Sequence, residues 1–168
     1  PRGLVHRASD GELMADVGAN TLYVVPVADA ERVYWVGSTV AADATVSGNY
    51  ETWAMAVPAE SLDAGGRTVA PRWRVSLGPK AVYGTPATRD GLLYVVDRGG
   101  VLTILDGQTG QETGRYDLAT GMVSASPVLA GGSAYLFAED GRAVMGPAGR
   151  TFAFGARATV ICATPSSR

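Results

Sequence analysis

Four landmarks in this chain recur at one fixed interval. Thr85-Pro86, Gly91, Tyr94 and Gly100 are each matched 41 residues later, by Ser126-Pro127, Gly132, Tyr135 and Gly141. Between them, short β-branched and aromatic runs alternate with tight-turn residues. A period of about 40 residues holding several short strands predicts four-stranded sheets stacked radially, the blades of a β-propeller. Each such unit needs a neighbour, because it cannot cover its own apolar faces.

The unit at 82–118 shows how the residues encode this. Val82–Thr88 reads as the first strand, and Asp90-Gly91 as a two-residue hairpin turn of the kind that needs positive φ. Leu92–Val96 and Val101–Leu105 read as the second and third strands, with Arg98-Gly99-Gly100 turning between them. Asp106-Gly107-Gln108-Thr109-Gly110 makes the last turn before an outer strand at Glu112–Leu118.

The unit at 123–154 repeats the order. Its strands are expected at Val123–Leu129, Ser133–Ala138, Arg142–Met145 and Thr151–Phe154, with turns at Gly131-Gly132, Asp140-Gly141 and Pro147-Ala148-Gly149. Ala163-Thr164-Pro165 aligns with Gly84-Thr85-Pro86, so 158–168 reads as the start of a further unit. Upstream, a unit is expected at 13–77, opening with a hairpin of Leu13–Val17 and Thr21–Val27 around Gly18-Ala19-Asn20. Leu22-Tyr23-Val24-Val25 matches Leu93-Tyr94-Val95-Val96, but at 71 residues rather than 41. An inserted surface loop at 28–50 would reconcile the two, since loops tolerate added length, with patterning resumed at Glu51–Val57 and Pro71–Leu77. Residues 1–12 are polar and breaker-rich and read as a tail or an incoming loop.

Glycine supports a turn-rich all-β chain: there are 22 in 168 residues, placed between apolar runs rather than in a Gly-X-Y triplet. The expected fold is therefore all-β, about three four-stranded antiparallel blades plus the start of a fourth. Three blades cannot close a ring of ordinary size, so the chain is expected to be an arc of a roughly 6–8-bladed β-propeller. Its outer units would then expose apolar faces and unpaired edges. The start Pro1-Arg2-Gly3, without an initiator methionine, suggests a processed chain, an excised segment or an incomplete reading frame.

The ordered motifs resemble the PQQ-like, quinoprotein-type β-propeller repeat. They are Thr85-Pro86, then Gly91-Leu92-Leu93-Tyr94-Val95, Gly100-Val101-Leu102-Thr103-Ile104-Leu105-Asp106 and Thr109-Gly110. The resemblance spans 84–118 and 123–154, and part of 13–77. It implies a bacterial, periplasmic or extracellular protein. The family holds quinoprotein alcohol and sugar dehydrogenases as well as non-catalytic propellers. In its enzymes a tryptophan docks one blade on the next and would follow Thr109-Gly110 by about four residues, where this chain has Gly114 and Arg115. Only the first unit keeps an outer-strand tryptophan, Trp73, so other apolar contacts are expected to dock the blades.

No convergent reactive set is legible, and the expected catalytic, cofactor-binding and metal residues are none. Cys162 is the single cysteine, which excludes an intramolecular disulfide, a cysteine cage and the adjacent cysteines of the quinoprotein enzymes. His6, the only histidine, falls in the expected tail. Trp35, Trp53 and Trp73 read as core or blade packing. The acids Glu139-Asp140, Asp10 and Glu12 read as solvated turn residues without a calcium-loop pattern. Arg89-Asp90 and Asp97-Arg98 read as surface ion pairs worth little. Asp106 and Thr109 are expected to hold their turn by accepting backbone N–H groups.

The net charge of −2 gives no case for nucleic acid, and no apolar run of 18 residues is present to span a membrane. Two functions remain in competition. One is a non-catalytic propeller segment, a scaffold whose partners are the remaining blades of the ring and another protein reached through the loop face, with 28–50 as the candidate loop. The other is a fragment of a PQQ-dependent alcohol or sugar dehydrogenase, with PQQ and calcium held by residues outside this stretch.

Overall fold

The computed structural model describes residues 2–21, 23–40 and 50–159. Readings that involve Leu22, 41–49 or 160–168 lie outside these residues. Among them are Cys162, Ala163-Thr164-Pro165 and most of the expected fourth unit.

Among the described residues fifteen strands form four sheets. Sheet I holds β1 (Arg2–His6), β2 (Leu13–Asn20) and β6 (Arg67–Thr68) in the order β1-β2-β6. Sheet II holds β3 (Val27–Ala28), β4 (Arg32–Val40), β5 (Tyr50–Pro58) and β7 (Trp73–Gly78). Sheet III runs β8 (Ala87–Arg89), β9 (Leu92–Val96), β10 (Val101–Asp106), β11 (Glu112–Asp117). Sheet IV runs β12 (Val128–Ala130), β13 (Ser133–Phe137), β14 (Arg142–Pro147), β15 (Ala156–Thr159). Sheets II, III and IV are each four-stranded and antiparallel throughout.

The first three strands of sheet IV follow those of sheet III at the 41-residue interval, and Tyr94 and Tyr135 lie in different sheets. The outer strand breaks the interval. It runs Ala156–Thr159, not Thr151–Phe154, so Ala158 and Thr159 close sheet IV instead of opening a new unit. The reason is Phe152, which turns inward and is buried between sheets III and IV, drawing residues 151–155 into the preceding turn.

Alternation along the strands explains the stack, because side chains of successive residues leave opposite faces of a sheet. Leu93, Val95 and Leu105 pack toward sheet II against Tyr34, Val36, Ala54, Ala56 and Trp73. Leu92, Tyr94, Val96, Leu102 and Ile104 pack toward sheet IV against Ala134, Leu136, Val144 and Phe152. A strand buried on both faces must read as a continuous apolar run, and Leu92–Val96 does.

The expected first unit needs the most correction. Residues 2–6 are not a tail but β1, paired antiparallel with β2, and Gly18-Ala19-Asn20 is not a turn but the end of β2. Nor do 32–40 belong to a surface insertion, while 41–49 of the expected loop lie outside the described residues. Arg32–Val40 is the second strand of sheet II, and Tyr34–Ser38 are buried on both of its faces. The stretch Tyr34–Ser38 is core, so these residues do not form the expected interaction loop. Tyr23–Val25 instead join β2 to β3 outside any sheet.

Sheet I packs Val17 and Ala19 on the face of sheet II remote from sheet III, against Trp35, Trp53, Met55 and Val57. Its strand β6 comes from a detour between β5 and β7 that begins with a 3-10 turn at Ala59–Leu62. It pairs parallel with β2, with Ala15 opposite Arg67 and Asp16 opposite Thr68.

Candidate functional site

Antiparallel strands send their connections to two opposite ends of the stack, and each end gathers a cleft. At one end the turns 29–32, 90–91, 106–111 and 147–155 converge on a polar cleft of about 470 Å³, lined by Asp29, Arg32, Asp90, Asp106, Gln108 and Arg150. Its charges are closed on one another. Asp29 accepts the Tyr34 hydroxyl at 2.6 Å and the backbone N–H groups of Glu31 and Arg32 at 2.8 Å each. Arg32 also lies 3.6 Å from Asp29 and 2.6 Å from Glu31. Burial opposes ionisation of Asp29, yet the hydrogen bonds from Tyr34 and the backbone outweigh it and hold the carboxyl below its usual range. Burial first, and then the bond to Asp29, push the Tyr34 hydroxyl up to about 12.

Asp106 holds its turn as the sequence suggests. Its Oδ1 accepts the N–H groups of Gln108 and Thr109 at 3.0 Å each and the Thr109 hydroxyl at 3.1 Å. Its Oδ2 adds a contact that the sequence did not reveal, the Arg150 guanidinium of sheet IV at 2.7 Å. Burial would raise the Asp106 carboxyl, but Arg150 and the Thr109 and Gln108 donors lower it on balance. A carboxyl depressed in the folded state adds stability above its unfolded value near 3.8, and this is lost as pH falls through the folded value. Asp106→Ala is therefore expected to cost on the order of 1 kcal/mol at pH 7. Urea melts at pH 7 and below pH 3 should show that cost shrinking in acid. A cost independent of pH would refute the ionic part.

The sheets dock through tyrosine and tryptophan at this end. Trp73 donates its indole N–H to Gly107 O at 2.9 Å, and a Cβ on Gly110 would lie 2.6 Å from the Trp73 ring. Trp73 thus docks sheet II on sheet III. Between sheets III and IV, where Gly114 and Arg115 stand instead of a tryptophan, Tyr116 folds over the bare backbone of Gly114 and meets Phe152 at 5.8 Å between ring centroids. The Tyr94 hydroxyl donates to Gly149 O at 3.2 Å in the same joint.

The opposite end differs in character. Tyr50, Lys80, Tyr83, Arg98 and Met122 line a hollow of about 320 Å³, and Tyr23 and Tyr83 frame another of about 370 Å³. Tyr23 is 75% exposed and meets Tyr83 edge-on at 5.0 Å. Arg98 lies 4.7 Å over the Tyr83 ring and also donates to the Met122 sulfur at 3.5 Å. It makes no ion pair with Asp97, whose Oδ1 instead accepts the Val101 N–H. Tyr23 holds a φ of 67°, an uncommon conformation for a bulky aromatic, while buried Val24 anchors the loop beneath it. No sequence pattern marks this cluster, because its members come from four separate connections and from the start of β5.

The remaining candidate residues are scattered. His6 sits exposed on β1 with Nδ1 3.0 Å from Gly11 O. Asp10 and Glu12 pair with Arg7, Asp140 with Arg142, and Glu139 with the Ser124 hydroxyl. Arg89 and Asp90 form an exposed pair at 3.3 Å. Among the described residues no three His, Cys, Asp or Glu gather to hold a metal, and no helix is long and apolar enough to cross a membrane. Trp35, Trp53 and Trp73 are all consumed in sheet-to-sheet packing. The described residues therefore do not fit PQQ with calcium, which needs a stacking indole on the ring floor and converging oxygens.

Radially stacked four-stranded sheets, docked by an indole on the next sheet's last turn, define a β-propeller arc. The family model described as outer membrane protein assembly factor BamB matches residues 59–147, more than half of the chain. The protein belongs to this family of PQQ-like propeller repeats. Solved structures agree on the fold. BamB from Moraxella catarrhalis is 20% identical with a TM-score of 0.61, over 88% of this chain and 40% of that one. A europium-containing methanol dehydrogenase is 14% identical with a TM-score of 0.59, over 80% and 24%. The computationally designed Ika8 protein is 11% identical with a TM-score of 0.62, over 94% and 43%. The chain thus spans less than half the length of each. A comparison with curated protein sequences gives no match.

Proposed function

We propose that the protein is a non-catalytic interaction scaffold, an arc of a larger propeller that binds another protein at the tyrosine end. The observation that carries this is the Tyr23–Tyr83–Arg98–Met122 cluster, with Tyr23 75% exposed on a backbone of φ 67°. Aromatic residues, Met and Arg are the side chains enriched in protein interfaces, and Tyr and Arg are frequent among their energetic anchors. Residues held in sparsely populated backbone regions cluster at ligand-contacting sites, and Tyr23 is such a residue. The polar cleft offers no competing chemistry, because its carboxylates are held by guanidinium groups, Tyr34 and the backbone.

The remaining blades are partners under the same reading. Tyr135, Phe137, Ala143 and Met145 of sheet IV are the 41-residue equivalents of Tyr94, Val96, Leu102 and Ile104, which sheet IV covers in sheet III. On sheet IV none of the described residues covers that apolar face, and Phe137 is 39% exposed. The BamB name of the family supports work outside the cytoplasm, in the periplasm or extracellular space.

The test places a photo-crosslinking residue at position 23, or for comparison at exposed Glu60, in cells of the source organism. One discrete protein adduct is expected from 23 and none from 60. Arg98→Glu should abolish it while the melting temperature stays put. Equal labelling from both positions, or an adduct indifferent to Arg98→Glu, sinks the proposal.

A further inference from the structure

The hairpin β1–β2 is not a small sheet in its own right; we propose that it is the third and fourth strands of a preceding blade. Its free edge would then receive a two-stranded hairpin of the same repeat type, joined in cis ahead of Arg2. Displacing residue numbers by 99 carries β1 (Arg2–His6) onto β10 (from Val101) and the start of β2 at Leu13 onto the start of β11 at Glu112. The turn between them follows with its hydrogen bonds. Arg7 N donates to Glu12 O and Gly11 N to Arg7 O, at 2.9 Å each. At the same displacement Asp106 N donates to Gln111 O and Gly110 N to Asp106 O, at 2.8 Å each. Gly11 and Gly110 share a left-handed backbone, with φ of 76° and 74°.

Packing says the same independently. Val17 and Ala19 of β2 cover Trp35 and Trp53 on sheet II, continuing on that side the stacking that joins sheet II to III and III to IV. What differs is the pairing. In sheet III the third strand, β10, is bonded on both sides, to β9 and β11. Among the described residues its counterpart β1 is bonded only to β2, while the far edge of β2 is taken by β6. One row of backbone donors and acceptors is thus left open, on the side where a β9-like strand belongs, and an open edge is a template for another strand. In the β10 register Tyr94 faces Ile104, so the incoming strand would set its repeat tyrosine opposite Val5. This holds whether or not the tyrosine end binds a protein.

The experiment grafts a second copy of residues 80–100, which holds β8, β9 and the native β9–β10 turn, directly ahead of Arg2 in the full chain. Hydrogen exchange is then read amide by amide. Exchange along β1 should slow at least tenfold while β10 is unchanged. The same graft carrying Val95→Pro, which removes a ladder N–H from the added copy only, should leave β1 at its original rate. Unslowed β1 amides in the first graft, or equal slowing by the proline version, overturns the inference. So does protection of β1 in the ungrafted chain that grows with protein concentration, since that assigns the edge to a second copy.

Discussion

Trp73→Ala is expected to destabilise the protein by about 3–5 kcal/mol, the range for deleting a buried aromatic. Three losses add. The indole is 8% exposed, so its removal opens a cavity between sheets II and III. Gly107 O loses the donor it holds at 2.9 Å. Gly110, whose bare backbone lies under the ring, is left facing that cavity. Trp73→Phe separates the terms, because it keeps most of the packing and loses the N–H, and should cost about 1–2 kcal/mol. Urea unfolding reads both, and a pure stability change moves the midpoint without changing the slope. A midpoint for Trp73→Ala within about 1 kcal/mol of the parent would mean that the indole docks nothing.

Gly84→Val is expected to cost about 3 kcal/mol for a different reason. Gly84 is not among the residues at positive φ, so its backbone would accept a side chain. The obstacle is the neighbouring sheet. A Cβ at 84 would collide with the Ala125 carbonyl and lie 3.0 Å from Ser126 N. Those atoms are backbone and cannot rotate away, so the segments leading into β8 and β12 would have to part. Gly91→Ala is the control. It has open space within 4 Å but a φ of +70°, and should lose only about 1 kcal/mol through backbone strain. If Gly84→Val melts like the parent, the close approach of the two segments is wrong.

The parts of the fold that were legible are those written in turn chemistry. Asp90-Gly91 and Asp106–Gly110 need particular residues to turn at all, so they declared the strands on either side of them. The 41-residue interval declared sheets III and IV for the same reason. Sheet II is hard to read from sequence because a four-residue apolar string, Leu22–Val25, resembles Leu93–Val96. The structural counterpart of Tyr94 is Tyr34, whose hydroxyl reaches the turn of the following sheet as that of Tyr94 does. That likeness lives in an inter-sheet contact, which no local string records. Strand β1 is hidden because Arg7–Glu12 looks like generic polar sequence, although it folds with the bonds of 106–111. The tyrosine cluster was invisible for a simpler reason. Tyr23, Tyr50, Tyr83, Arg98 and Met122 share no spacing, and only the stack brings them together.

One detour changes how the stack would come apart under load. Sheets II, III and IV hold one another mainly through side chains, with single backbone bonds from the connecting segments such as Arg98 N to Ala81 O at 2.8 Å and Glu139 N to Met122 O at 2.9 Å. Between sheets I and II the chain of 59–72 also reaches across, so Ala64 and Gly66 donate to Met14 O at 3.0 and 2.9 Å and Val69 donates to Asp16 O at 2.9 Å. That clasp must be sheared before sheet I can peel away. Pulled from its two ends, the molecule should yield first at sheet IV, with sheets I and II giving way last as a single mechanical body.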